Sequence, residues 1–197
     1  MKRPKSETID FLTHDELKRL LSAIVSKRDK ALFLIGYRHA LRASEIGMLH
    51  VTDIDFKQHR ITVRRLKGSH GGQHPLQPDE LRLIKAYLKE RDDESWRSAA
   101  HSPLLFPSNR NQPISRITLH KAMRQYGETA RLPKEKRHFH VLKHSIVTHL
   151  LDAGEDISFV QWWAGHAQVQ NTMIYTHITS ASANRKARDV FLKLPKF

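Results

Sequence analysis

The polar and apolar positions alternate with two different periods along this chain. Thr13-His14-Asp15-Glu16 has the form of a capping box, and Leu17, Leu20, Leu21 and Ile24 follow at helical spacing. A second apolar helix is expected over Ala31–Ala40, ending near Leu41-Arg42, and a short one over Ala43–Leu49. The period then drops to two. Ile54 and Phe56, then Ile61, Val63 and Leu66, read as two short strands with a turn at "KQH". "GSHGG" (68–72) is a glycine-rich turn, and "HPL" returns as a third strand. Pro78 opens a helix to about Lys89, with Leu81, Ile84 and Leu88 on one face. Residues 91–103 are charged and small, as in a surface loop, and "PLLF" is a short buried piece. A helix from Ser115 to about Ala130 follows, and the chain from His140 is helical in pieces, broken at Gly154 and Gly165. The expected fold is mostly α with one small antiparallel sheet, an α+β class.

Composition narrows the partners. The 197 residues are 39% apolar, enough for a real core in one domain, and contain no repeat and no cysteine. Disulfides and cysteine-ligated zinc are therefore excluded. The basic start MKRPKSETID lacks the apolar run of a signal peptide, and no stretch approaches the ~20 apolar residues of a membrane helix. A cytoplasmic, nucleoid-associated protein without a membrane partner is expected. Thirty-four Lys and Arg against 20 Asp and Glu leave a net charge of +14, spread along the chain. A field of that sign attracts polyanions, and nucleic acid is the favoured partner.

The chemistry-bearing residues concentrate in three stretches. "HFHVLKHS" (138–145) places His140 and His144 one helical turn apart. That is zinc-ligand spacing. It lacks the Glu of the metalloprotease pattern and sets Lys143 between the would-be ligands, so no metal is expected. The fourteen histidines are scattered rather than clustered as in a metal store. Trp162 and Trp163 are expected to be packing residues, one facing inward.

Taken in order, three motifs resemble the tyrosine recombinases of the phage integrase family. "ALRASEIGML" resembles the first arginine motif, with Arg42 and the nearby acid Glu45. "RRLKGSHGGQHPL" resembles the β-hairpin that carries a lysine, here Lys67. "HVLKHSIVTHLLDAGEDISFVQWWAGHAQVQNTMIYTHI" resembles the rest of the site: His140, Lys143 and His144 stand at His-x-x-Arg-His, Gly165-His166 at Gly-His, and Tyr175 nine residues on. The resemblance covers roughly residues 10–180.

It implies a recombinase catalytic-domain fold, a double-stranded DNA partner and strand exchange through a 3′-phosphotyrosine on Tyr175. It also implies that neither metal nor other cofactor is needed. In these terms Tyr175 is the nucleophile, Arg42 and Lys143 stabilise the transition state, and Lys67 protonates the departing 5′-oxygen. His140 and His166 donate to non-bridging oxygens, and either could help take the tyrosine proton. Glu45 buttresses the site, and His144 is expected to be a supporting partner on the same helix.

Two departures matter. Lys143 stands where the family has its second arginine; it keeps the charge and loses the fork that grips two oxygens at once. The chain is also short. It is expected to be a single catalytic domain: a 1–12 extension, a 10–180 core and a 181–197 segment that could pack on a neighbouring protomer, with no N-terminal core-binding domain. That organisation resembles the single-domain recombinases that invert fimbrial promoter segments. A tetramer on synapsed sites, a monomer free in solution, and DNA-bending accessory proteins are the implied assemblies. The rival functions are a non-cleaving DNA-binding relic of the fold and a topoisomerase-like enzyme.

Overall fold

The computed structural model describes residues 9–66, 68–91 and 102–176. Lys67 and residues 181–197 lie outside the described residues, as does most of the 91–103 stretch.

Helix α1 (His14–Ala23) starts where the sequence puts it. The Thr13 hydroxyl accepts from the Glu16 N–H, and the Glu16 carboxylate accepts from the Thr13 N–H at 2.8 Å. Helix α2 (Lys27–Arg38) is capped by Ser26 and buried without a break from Ala31 to Tyr37. It is the central pillar, packed against α4 (Pro78–Arg91), α6 (Val141–Ala153), α1 and the short α3 (Ala43–Gly47).

The expected 31–40 helix is therefore shifted. It begins four residues earlier, at Lys27 behind the Ser26 cap, and stops at Arg38. There Ala40 turns into the left-handed region (φ 51°), so that the Leu41 N–H reaches back to the Gly36 carbonyl at 2.9 Å. This turn aims Arg42 away from the helix axis.

The sheet has the order β1 (Ile54–Asp55), β2 (Arg60–Val63), β3 (Gly72–Pro75), all antiparallel, with Ile61 opposite His74 and Val63 opposite Gly72. The third strand is "GQHP", close to the expected "HPL". Helix α5 (Arg116–Thr129) occupies the expected range, and Leu104, Leu105 and Phe106 are buried as "PLLF" suggested.

Glycine ends both C-terminal helices. Gly154 closes α6 at φ 97°, and Gly165 closes α7 (Ile157–Ala164) at φ 65°. The chain then runs through α8 (Gln170–Met173) to Tyr175. A Cβ at Gly165 would stand 2.7 Å from both the Arg65 Nε and the His70 carbonyl, so glycine is required there on two grounds. Trp163 is half-buried and donates to the Arg38 carbonyl at 2.7 Å, whereas Trp162 is exposed.

Among the described residues no helix is long and apolar enough to cross a membrane.

Candidate active site

Four pieces of chain meet at one place: the start of α3, the base of the β2–β3 hairpin, the first turn of α6, and the stretch from the end of α7 to Tyr175.

Glu45 is their common anchor. It is fully buried, and its two oxygens accept from the Arg42 N–H (2.8 Å), the Arg42 Nη1 (2.8 Å) and the Arg65 Nη1 (3.1 Å). Burial alone would raise its pKa. The Arg42 backbone bond and the Arg65 charge outweigh that and hold the carboxyl below the usual carboxylate range. Arg42 keeps about a third of its side chain exposed and also donates to the Ser69 hydroxyl at 3.1 Å, which ties it to the hairpin loop.

Arg65 was not singled out from the sequence, yet its guanidinium is the most heavily engaged in the site. Nη1 donates to the Ala40 carbonyl and to Glu45; Nη2 donates to the carbonyls of His39 and Trp163, each at 2.8 Å. One side chain thus joins the turn before Arg42, the acid beneath it, and the last turn of α7 before His166. The signal was present: Ile61 and Val63 face inward, and period two puts residue 65 on the same side. A charged residue at an inward position needs partners.

Lys143 sits on α6 and is 1% exposed. Its ammonium donates to the Ala164 carbonyl at 2.6 Å. Arg65 and Lys143 therefore cap two successive carbonyls at the C-terminal end of α7, where a helix is electronegative. Burial, with Arg65 and Arg42 nearby, brings the Lys143 pKa down to about 7. Lys143 thus faces protein rather than solvent, which the motif alone did not indicate.

The three histidines are neutral near pH 7; His166 is buried, and His140 and His144 are half-buried. Burial brings His140 to about 3, His166 to about 3 and His144 to about 4, with neighbouring positive charge adding to each shift. His166 Nδ1 bonds the Thr172 hydroxyl at 2.9 Å. Tyr175 is 2% exposed, and its hydroxyl lies 2.5 Å from His144 Nδ1. Burial pushes its pKa up to about 12. The His166 ring lies nearly parallel to Tyr175 at 6.5 Å, and the His140 ring stands edge-on to His144 at 4.5 Å.

The expected residues Arg42, Glu45, His140, Lys143, His144, His166 and Tyr175 thus share one neighbourhood, and Lys67 is outside the described residues. The site offers a buried phenol, an exposed guanidinium edge and neutral imidazoles around it. Among the described residues no three His, Asp or Glu side chains are arranged to hold a metal.

Comparison with known proteins places the chain in a family. The phage integrase family profile matches residues 10–182. The type 1 fimbriae regulatory protein FimE of Escherichia coli K12 is 31% identical over 175 residues, 87% of each chain. The crystal structure of XerA recombinase superposes with a TM-score of 0.79 at 28% identity, over all of this chain and 67% of that one. The XerH site-specific recombinase, in a post-cleavage complex with its palindromic difH substrate, gives 0.76 at 25% identity, over 91% of this chain and 52% of that one. On the family profile, on a relative of equal span and on the shared catalytic-domain fold, the chain belongs to the phage integrase family.

Proposed function

We propose that this protein is a site-specific DNA recombinase that breaks and rejoins strands through Tyr175. The carrying observation is the meeting of the buried Tyr175 hydroxyl, the part-exposed Arg42 guanidinium and the His140 and His166 rings at one site. A phosphodiester entering it meets a nucleophile, a cation and two N–H donors. Attack by the phenol oxygen converts one hard transfer into two easier ones and keeps the bond energy in a phosphotyrosine. The Arg42 guanidinium stabilises the charge on the five-coordinate phosphorus, and His140 and His166 donate to its non-bridging oxygens. Lys143 adds positive charge from beneath. Lys67 is the proton donor for the departing 5′-oxygen. The 5′-hydroxyl of a second strand then displaces Tyr175, so no external energy source is needed.

The partner is double-stranded DNA, in keeping with the net charge of +14 and the DNA-bound relative. We read the working assembly as a tetramer on two synapsed sites, formed from a chain that is a single catalytic domain and a monomer when free. DNA-bending accessory proteins and a cytoplasmic, nucleoid-associated location belong to the same reading.

The test is a supercoiled plasmid carrying two copies of the candidate site, taken from sequence flanking the gene. Exchange between the sites that requires both copies, and is lost in Tyr175→Phe, is the expected result. Relaxation with one site or none indicates a topoisomerase. A gel shift with no strand breakage indicates a binding protein.

A further inference from the structure

Tyr175 must give up its proton as its oxygen bonds to phosphorus, and burial makes that proton harder to lose. Something in the site must take it. The family resemblance offers His140 or His166, but neither is placed for the task in this chain. The His166 Nδ1 is engaged by Thr172, and its ring centre lies 6.5 Å from that of Tyr175, with no hydrogen bond to the Tyr175 hydroxyl. The His140 ring is perpendicular to His144 at 4.5 Å and has no hydrogen bond to the Tyr175 hydroxyl. Among the described residues the histidine nitrogen within hydrogen-bond distance of the Tyr175 hydroxyl is His144 Nδ1.

Resting on the recombinase reading above, we infer that His144 is the base that accepts the Tyr175 proton. As the Tyr175 oxygen forms its bond to phosphorus, the phenol proton passes to His144 Nδ1. The bond from phosphorus to the 5′-oxygen breaks with its electron pair on that oxygen, which takes a proton from Lys67. Rejoining reverses both transfers: the 5′-hydroxyl gives its proton back to Lys67 as it attacks phosphorus, and the imidazolium returns its proton to the departing tyrosine oxygen.

Three features support the direction of transfer. A phenol O–H is a stronger acid than an imidazole N–H, so the stable pairing has Tyr175 donating, with the ring proton on Nε2. Its own burial, then His138 and Lys143, with the His140 ring perpendicular to it and His166 within electrostatic reach, keep His144 neutral, so that its Nδ1 lone pair accepts the Tyr175 hydrogen bond, while lowering its basicity in the free protein. His144 also belongs to the first turn of α6, beside Lys143, so its ring is held by a rigid element. In the free protein the proton stays on Tyr175. The negative phosphate is what raises the basicity of the ring at the moment of attack.

The experiment uses the full chain and a nicked duplex carrying the candidate site. His144→Ala is expected to bind this DNA as the parent does and to form the covalent complex slower by about 10²-fold or more. Added imidazole should restore part of the rate. His144→Gln, which can accept a hydrogen bond but cannot hold a proton, should stay slow. Nitrogen-15 histidine spectra of the DNA-free parent should show His144 protonated on Nε2 alone. A His144→Ala rate equal to the parent's, a His144→Gln as fast as the parent, a loss that imidazole does not relieve, or a proton on Nδ1 would each overturn the assignment. A parent that forms no covalent complex would instead remove the recombinase reading, and the proposal with it.

Discussion

Arg65→Met is the substitution whose consequence follows most directly from the contacts. It keeps the volume of the side chain and removes the guanidinium. Three backbone carbonyls and one carboxylate oxygen then lose a donor. Each buried acceptor left unmatched costs about 1–3 kcal/mol. The carbonyls have room to relax and Glu45 keeps Arg42, so the costs do not simply add. Removing one partner of a buried ion pair is typically worth ~3–5 kcal/mol, and that is the expected loss here. For a domain of this size each kcal/mol moves Tm by ~2–4 °C, which gives a fall of ~6–20 °C. Urea unfolding with an unchanged m value would show that stability, rather than compactness, has changed. Arg65→Lys keeps the charge but brings three donors to four acceptors, so it should recover only part of the loss. An Arg65→Met protein melting within about 2 °C of the parent would refute the role assigned to this residue.

Other consequences can be checked in the same way. Gly165→Ala meets both a left-handed backbone and a filled space. Gly165→Asn relieves only the first, so both variants should melt well below the parent; an Asn variant of parental Tm would show that space is not limiting. Lys143→Arg brings a fork that can hold the Ala164 carbonyl and still present N–H groups to phosphate. It should form covalent complex faster, by up to about 10²-fold, and no gain would mean that lysine is not a handicap. The pKa of Lys143 falls from 10.5 unfolded to about 7 folded, so between those values the unfolded chain holds the extra proton. Its contribution to stability therefore rises with pH across that window and is flat below it. Denaturation midpoints of Lys143→Met should lack that rise; identical pH profiles would contradict the buried ammonium. Binding of DNA by the protein should weaken steeply with salt, and a Kd that barely moves between low and moderate salt would remove the electrostatic account.

Much of this was legible before any coordinates, because local patterns dictate it. Capping at Thr13, the two-residue period around Ile61 and Val63, and glycines at 154 and 165 mark elements through interactions a few residues long. The motif order also carried the site, since each motif holds its chemistry within one short stretch. What stayed hidden depends on contacts distant in sequence. Helix α2 ends where it does because Ala40 accepts a left-handed conformation that alanine does not prefer, in a turn that Arg65 holds by its carbonyl. Lys143 looks like an exposed clamp in the motif and becomes a buried cap only when α7 lies beside α6. The hydrogen bond between His144 and Tyr175 joins residues 31 apart in the chain and forms only because α8 carries Tyr175 back to α6.

The central claim is that Tyr175 becomes joined to a DNA 3′-phosphate. Its most direct measurement is a denaturing gel of the protein with a nicked duplex bearing the candidate site, followed by mass spectrometry of the cross-linked peptide. A covalent band that maps to Tyr175, carries the 3′ side of the break and vanishes in Tyr175→Phe is the predicted result. A band that persists in Tyr175→Phe, or DNA bound on a native gel with no covalent band at all, would contradict it.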